Sequence, residues 1–449
     1  MYETIYALAS AQGKAGVAVI RISGPKALKA LGTLTNKPAP KPRMAKLSRL
    51  FHPISGETLD DALILAFKAP ASFTGEDVVE LHIHGGLAVI DGMLEALSAC
   101  EGLRFAAAGE FTRRAFANGK LDLTQVEGLA DLIESETEAQ RKQALRQSEG
   151  ALGEIYEDWR HKLVASLAHF EAELDFSDEE IPDNLHNKVR QDVAQLQNQM
   201  RDHLKDARRG ERLRDGIRLA IIGPPNAGKS SLMNALAQRN AAIVSDIAGT
   251  TRDVVEVHLN LGGYPLLVAD TAGLRQSTDE IEQEGVRRAQ AWAETADLKL
   301  VLLDGTQAPD FDHISLNLID EHTIVAINKA DVMTQQIPES VKGTPVLALS
   351  VKSGQGLSDL LEQLTVRVQN LCRSSADGPA PTRARHREAL QRTEQALDRF
   401  LARDHASPMG SELEAEDLRL AARELGRITG RVDVEDLLDV IFRDFCIGK

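Results

Sequence analysis

The sequence predicts a multidomain chain of α/β and all-α parts, in which a helical domain is split by an inserted α/β domain. Three observations predict it. Short strand-like runs alternate with turn punctuation up to about residue 118. From about residue 120 the apolar period becomes helical, and from about 215 to 370 strand–loop–helix patterning interrupts those helices before they resume. At 449 residues the chain has room for about three domains of ~150 residues. The expected divisions are 1–118, 119–214, 215–372 and 373–449.

Within 1–118, strand-like runs fall at 17–22, 63–67 and 78–83, a Pro-rich loop at 37–42 and a helix at 87–99. His82 and His84 alternate along the third run, and packing is the expected role of both. Leu152, Ile155, Trp159, Leu163, Leu167, Phe170 and Leu174 then step by three or four and make one apolar helical stripe. Leu185, Val189, Val193, Leu196, Met200 and Leu204 make a second, separated from the first near Pro182. The inserted segment carries strand runs at 218–222, 254–261, 266–269, 298–303, 323–327 and 346–349. A Ser/Gly/Pro-rich linker at 374–382 closes it, and helical spacing returns at Leu390, Leu397 and Leu401, then Leu418, Ala422 and Leu425. Neither helical segment encloses a large core alone, so the two are expected to pack together.

With 43% hydrophobic and 27% charged residues, the chain is not expected to be disordered. No apolar run approaches the ~18 residues a bilayer span needs, and no basic cap precedes an apolar stretch at the start. Cys100, Cys372 and Cys446 are too few and scattered for a disulfide framework or a zinc site. A soluble, cytoplasmic protein is expected. Its net charge of −15 is the wrong sign for gripping phosphate backbones unaided. The imbalance is local: residues 1–118 hold 13 basic and 11 acidic side chains, so the remainder carries the acidity. A nucleic-acid substrate would need basic patches or a basic partner.

Gly223-Pro224-Pro225-Asn226-Ala227-Gly228-Lys229-Ser230 fits G-x-x-x-x-G-K-[ST], follows an apolar strand and opens a helix at Ser231. The glycines let backbone N–H groups face phosphate oxygens, Lys229 reaches the β/γ oxygens, and the Ser230 hydroxyl suits Mg²⁺. Further elements follow in order. Thr251, within Gly249-Thr250-Thr251-Arg252-Asp253, can complete the magnesium shell while a γ-phosphate is present. Asp270-Thr271-Ala272-Gly273 ends a strand, with Asp270 placed to hold the metal through water. Asn328-Lys329-Ala330-Asp331 presents a carboxylate that accepts both guanine N1–H and N2–H₂, a donor pair adenine lacks. Ser350-Val351-Lys352 is the fifth element. The inserted segment therefore reads as a Ras-like P-loop GTPase domain. Leu274 stands where such sites place a water-orienting glutamine, so catalysis must recruit another group. Asp279, Glu280, Glu282 and Glu284 are near in sequence, although as a pattern they read as a solvated helix face.

Beyond these motifs the chain resembles the tRNA modification GTPase family MnmE, also called TrmE, over essentially its whole length. The resemblance rests on Val19 to Pro25, on Ser72-Phe73-Thr74-Gly75-Glu76-Asp77, on His84-Gly85-Gly86 and on Gly109-Glu110-Phe111-Thr112-Arg113-Arg114-Ala115-Phe116. It also rests on residues 249–253 and on the tail Phe445-Cys446-Ile447-Gly448-Lys449. Ala15, Ser245 and Val351 are small departures from the family pattern.

The resemblance implies an N-terminal folate-binding-like domain that dimerises and holds 5-formyl- or 5,10-methylene-tetrahydrofolate through Arg21, Glu80, Lys120 and Lys449. Taken singly, each of these four reads as a surface charge. GTP contacts are implied for Asn226 to Ser231, for Ser245, Asp246, Ile247, Ala248, Gly249, Thr250 and Thr251, for Asp270 to Gly273 and for Asn328 to Asp331. Ser230 and Thr251 would hold Mg²⁺, and Asn226, Ser245, Ile247 and Thr250 would hold K⁺. Glu282 would orient the water, with Lys229 on the phosphates. Cys446 reads by default as a small buried hydrophobe, the alternative being a thiol near the reacting carbon. A homodimer working on tRNA with an FAD-dependent MnmG-type partner, in a heterotetramer or larger complex away from membranes, is implied. That assembly would build an aminomethyl or carboxymethylaminomethyl group on C5 of the wobble uridine. A regulatory GTPase switch in RNA or ribosome assembly remains the other reading.

Overall fold

The computed structural model describes residues 3–175, 185–239, 256–269, 294–333, 335–372, 378–403, 408–432, 435–443, 445 and 448. Two compact units divide the chain, the first holding Met1–Ala130, Gln147–Ala165 and Arg419–Lys449, the second Asp131–Arg146 and Ser166–Leu418.

In the first unit, β1 (Thr4–Leu8), β2 (Ala15–Ser23), α1 (Ala27–Thr35), β3 (Lys46–Phe51), β4 (Thr58–Phe67), β5 (Val78–Gly85), α2 (Leu87–Ser98) and β6 (Leu103–Phe105) build one α/β layer pair. The sheet order is β3-β4-β5-β2-β1-β6, antiparallel except for the parallel β1–β6 edge. Alternation decides the faces: Ile20 and Ile22, Ile64, Leu81 and Ile83 point into a core closed by Leu31 and Leu34 of α1 and Met93 and Leu97 of α2. The sequence runs at 17–22, 63–67 and 78–83 lie in the middle of β2, the second half of β4 and the first part of β5, and the helix expected at 87–99 is α2.

β1, β3 and β6 carry no strand signal that periodicity detects. β1 is five residues long, four of them buried, so it does not alternate. β6 has three residues, and β3 is an edge strand whose buried positions are only Ser48 and Leu50. One expectation is corrected here. His84 is not packed: its ring is exposed and its Nδ1 lies 2.8 Å from Asp60 Oδ1. A strand position facing the open side of the sheet gives it a solvent-side partner rather than a core. His82 lies half-buried, 3.6 Å from Glu80.

The unit is completed by α3 (Glu110–Ala117) and α4 (Leu123–Glu134), with parts of later helices. Asp122 starts α4 by accepting from Gln125 N–H while Gln125 Oε1 accepts from Asp122 N–H, a reciprocal capping box. Phe442 and Phe445 from the C-terminal segment pack with Val126 and Phe116.

In the second unit, α5 (Glu138–Ser148) up to Arg146, α6 (Ala151–Asp175) from Ser166, α7 (Leu185–Lys205) and α8 (Ala207–Asp215) contribute helical segments that precede a second sheet. Its strands are β7 (Ile217–Ile222), β8 (Glu256–Leu261), β9 (Tyr264–Ala269), β10 (Leu298–Asp304), β11 (Thr323–Asn328), β12 (Ser340–Val341) and β13 (Thr344–Ala348). The order is β12-β13-β11-β10-β7-β9-β8, parallel from β13 to β9 with antiparallel edges. Its central strands are buried on both faces, which is why they read as continuous apolar runs rather than alternating ones. α9 (Lys229–Arg239) and α11 (Leu357–Cys372) cover one side through Leu232, Leu236, Leu360 and Leu364, and the short α10 (His313–Asn317) lies on the chain between β10 and β11.

The two helical segments meet inside this unit. α12 (Ala384–Ala402) packs along α7, with Arg201 on Glu394 at 2.6 Å and on Asp398 at 2.7 Å. The Phe170 and Phe400 rings meet edge-on at 5.8 Å, and Arg190 reaches Glu414 of α13 (Pro408–Thr429) at 3.1 Å. α14 (Glu435–Arg443) is the last helix. No described helix is long and apolar enough to cross a membrane.

Candidate functional site

Two groups of side chains singled out by the sequence are built into the fold, one in each unit. The nucleotide motif occupies the turn between β7 and α9, at the carboxyl ends of parallel strands, where backbone N–H groups at a helix start are free to face an anion. Asn226 has φ 62° and Gly228 φ 99°, so the loop turns through the left-handed region twice. A Cβ on Gly228 would lie 2.4 Å from Asn328 Nδ2, and this close approach requires glycine.

Asn328 is the tie that the motif alone does not reveal. Its amide Nδ2 donates to the Ala227 carbonyl at 2.7 Å, and its Oδ1 accepts from the Val351 N–H at 3.1 Å. One buried side chain thus joins the phosphate-loop motif, the Asn328–Asp331 motif and the fifth element. Lys329, at φ 65°, donates to Asp304 Oδ2 at 2.6 Å. Asp304 also accepts from the N–H and hydroxyl of Thr306. Burial works to raise the Asp304 carboxyl, but the bonds from Lys329 and Thr306 outweigh it and hold it below the usual carboxylate range. Nothing in the local sequence marks Asp304; only the parallel pairing Asp304↔Asn328 brings it to Lys329.

Asn226, Gly228, Ser231, Asn328, Asp331 and Lys352 line an open cavity of about 750 Å³. Asp331 is exposed in the turn Ala330–Val332 at its edge. Ser230 is also exposed, in the first turn of α9, so its hydroxyl is available to a cation. Lys229 donates its ammonium to the carbonyls of Gly223 at 2.8 Å and Pro224 at 3.0 Å. Residues 245–251, Asp270 to Gly273, Leu274 and Glu282 lie outside the described residues, as do Asp279, Glu280 and Glu284. Among the described residues no cluster of three or more His, Cys, Asp or Glu side chains is placed to hold a metal.

In the first unit, Arg21 on β2 stands opposite Glu80 on β5, and its Nε donates to Glu80 Oε1 at 3.1 Å. The guanidinium carbon lies 5.4 Å from the Phe73 ring centroid and 5.7 Å from that of Phe111. Lys120 donates to the Pro70 carbonyl at 3.2 Å. Loop 70–77 therefore touches both Arg21 and Lys120 and brings three of the four one-carbon candidates into one neighbourhood. Cys446 and Lys449 lie outside the described residues, but Gly448 between them is placed. A Cβ there would fall 2.0 Å from the Leu8 carbonyl oxygen, at φ 101°, so Gly448 itself lies hard against the end of β1. β1 pairs with β2 through Ala7↔Arg21.

A charge network joins the Ser72–Asp77 and Gly109–Phe116 motifs. Arg114, 4% exposed, contacts Glu76 at 3.0 Å and Glu110 at 2.8 Å. Glu110 also binds Arg104 at 2.6 Å. Burial pushes the Glu110 carboxyl up, yet the hydrogen bonds from Arg104, the Ala107 amide and Arg114 bring it down to about 2. The carboxylate–guanidinium pair on the strands above suits the donor edge of a pterin, and the cations suit its anionic tail, so the residues present fit a folate.

A family model for the MnmE helical domain matches residues 123–446, and one described as the GTP-binding protein TrmE N-terminus matches residues 4–120. The chain is 56% identical to a tRNA modification GTPase MnmE of Paramagnetospirillum magneticum and 57% identical to that of Parvibaculum lavamentivorans, each over the full length of both proteins. It is 51% identical to the mitochondrial 5-taurinomethyluridine-[tRNA] synthase subunit GTPB3 of Danio rerio, over 100% of this chain and 93% of that one.

Proposed function

Because this chain belongs to the MnmE (TrmE) family of tRNA modification GTPases, we propose that it hydrolyses GTP in forming an aminomethyl or carboxymethylaminomethyl group at C5 of the wobble uridine of tRNA. The observation that carries the reading is the presence in one chain of both built neighbourhoods: the cavity edged by Asp331 and the Arg21–Glu80 pair with Lys120 beside it. A bare switch has no use for the second.

In this reading Asp331 accepts the two guanine donors, Lys229 leaves the Gly223 and Pro224 carbonyls for the β/γ oxygens, and Ser230 with Thr251 holds Mg²⁺. Glu282 orients the attacking water in place of the glutamine that Leu274 replaces. Asn226, Ser245, Ile247 and Thr250 hold K⁺, which supplies positive charge to the phosphate oxygens as an arginine finger would. Arg21, Glu80, Lys120 and Lys449 hold a tetrahydrofolate whose one-carbon unit enters the product. Residues 1–118 form the folate-binding and dimerisation domain, 215–372 the GTPase domain, and 119–214 with 373–449 the helical domain around it. A cytoplasmic homodimer acts with an FAD-dependent MnmG-type partner, which also offsets the −15 charge toward tRNA.

Nucleoside mass spectrometry of tRNA from cells lacking the protein tests the reading, with loss of the modified wobble uridine expected and an unchanged uridine profile overturning it. For the catalytic residues, turnover is expected to be far faster in K⁺ than in Na⁺, and Glu282→Ala to slow it by about 10²-fold with GTP affinity kept. Equal rates in both salts together with a fully active Glu282→Ala enzyme would defeat these assignments.

A further inference from the structure

Loop 70–77 is tied down by several hydrogen bonds to its neighbours. Thr74 is fully buried, bonded to Ser23 Oγ at 2.7 Å, and its carbonyl accepts from Asn118 Nδ2 at 2.7 Å. Ser72 Oγ donates to the Glu76 carbonyl at 2.5 Å, and Ser23 Oγ donates to Glu76 Oε2 at 2.7 Å. Arg114 grips the same carboxylate from below. Burying a guanidinium is costly unless it is paired, and the arrangement invests such a pair in a loop exposing the large apolar ring of Phe73. That ring is 36% exposed and stands against Arg21, whose other neighbours are Phe111 and Glu80.

We propose that Phe73 is the aromatic wall of the one-carbon site, packing its exposed side against the flat pyrimidine half of the reduced pterin, and that Glu76 and Arg114 are positioning residues that hold it and, through it, Arg21. The inference rests on the folate reading above and deepens it. An exposed aromatic ring fixed beside a guanidinium–carboxylate pair suits the flat pyrimidine half of a reduced pterin with its donor edge: apolar contact for the ring, the edge for the carboxylate, and cations left for the carboxylate tail. A rigid loop lowers the ordering cost of binding, which is what the buried pair provides.

Calorimetric titration of the full-length protein with 5-formyltetrahydrofolate tests it, alongside the pterin absorption change that stacking produces. Phe73→Ala should weaken binding by about 20-fold and abolish the spectral change, and Phe73→Trp should keep both within about threefold. Glu76→Gln should weaken binding by about 5-fold through loss of the Arg114 pairing. GTP binding should be the same in all three variants, and an unshifted thermal midpoint in Phe73→Ala separates a lost wall from a lost fold. Tight binding and an intact spectral change in Phe73→Ala, with binding lost in Arg21→Ala, would overturn this inference alone. Failure of the unaltered protein to bind would overturn the folate reading and the inference with it.

Discussion

The two candidate sites hold their cations in opposite ways. In the first unit, Arg21 and Arg114 are already paired to carboxylates, and Arg21 is flanked by two rings, so these cations are held in place before any ligand arrives. In the nucleotide loop, Lys229 is bonded to the carbonyls of its own turn, and in the proposed reading it leaves them for phosphate oxygens. Both arrangements satisfy buried or half-buried charge, as they must. A prepaired arrangement lowers the ordering cost of binding, while one whose cation is held by its own turn suits a site that changes between ligand states.

The largest expected effect tests the prebuilt half of this contrast. Arg114→Gln leaves Glu76 and Glu110 without their buried cation and should destabilise the first unit by about 3–5 kcal/mol, read as a drop in its thermal midpoint. GTP affinity should stay unchanged. An unmoved midpoint would show that the network supports nothing and would dissolve the contrast.

Asp331→Asn probes the other half. The amide cannot accept from both guanine donors, so GTP affinity should fall by about 2–4 kcal/mol and the preference over ATP should narrow, while folate binding is kept. Equal affinity of the unaltered protein for GTP and ATP would remove the assignment.

Acid should separate the units more gently. Burial drives His203 on α7 down to about 4, an effect that His386 and Arg209 reinforce and Asp206 opposes. Between its ordinary value of 6.5 and about 4, the unfolded chain binds a proton that the folded chain does not, so stability falls as pH falls across that window. The second unit should lose about 2–3 kcal/mol there, and His203→Gln should flatten the dependence. Glu110 behaves otherwise: with a folded value of about 2 against an ordinary 4.5, its contribution is full above 4.5 and declines only below it. Calorimetry at pH 7, 5.5 and 4.5 therefore should show the second unit weakening first, and simultaneous loss of both would contradict the difference.

Much of this was legible in the chain. The parallel strands β10 and β11 announce themselves as apolar runs because both faces are buried, and β2, β4 and β5 because one face is. The phosphate loop is legible because its chemistry demands particular residues at fixed spacing. β1, β3 and β6 were not, being too short or too one-sidedly exposed to carry a period. His84, expected to pack, faces solvent because alternation along β5 names two faces without saying which is covered.

What the sequence by itself determined is therefore whatever repeats or is chemically constrained within a few residues: helical stripes, apolar runs, and the motifs from Gly223 to Ser230 and from Asn328 to Asp331. Only the tertiary structure decided which of these meet. Glu76 and Arg114 lie 38 residues apart, Arg21 and Glu80 59, and Ala227 and Asn328 101. No local pattern encodes such pairs. Strand order and register set them, and these follow from how all the apolar surfaces are buried at once.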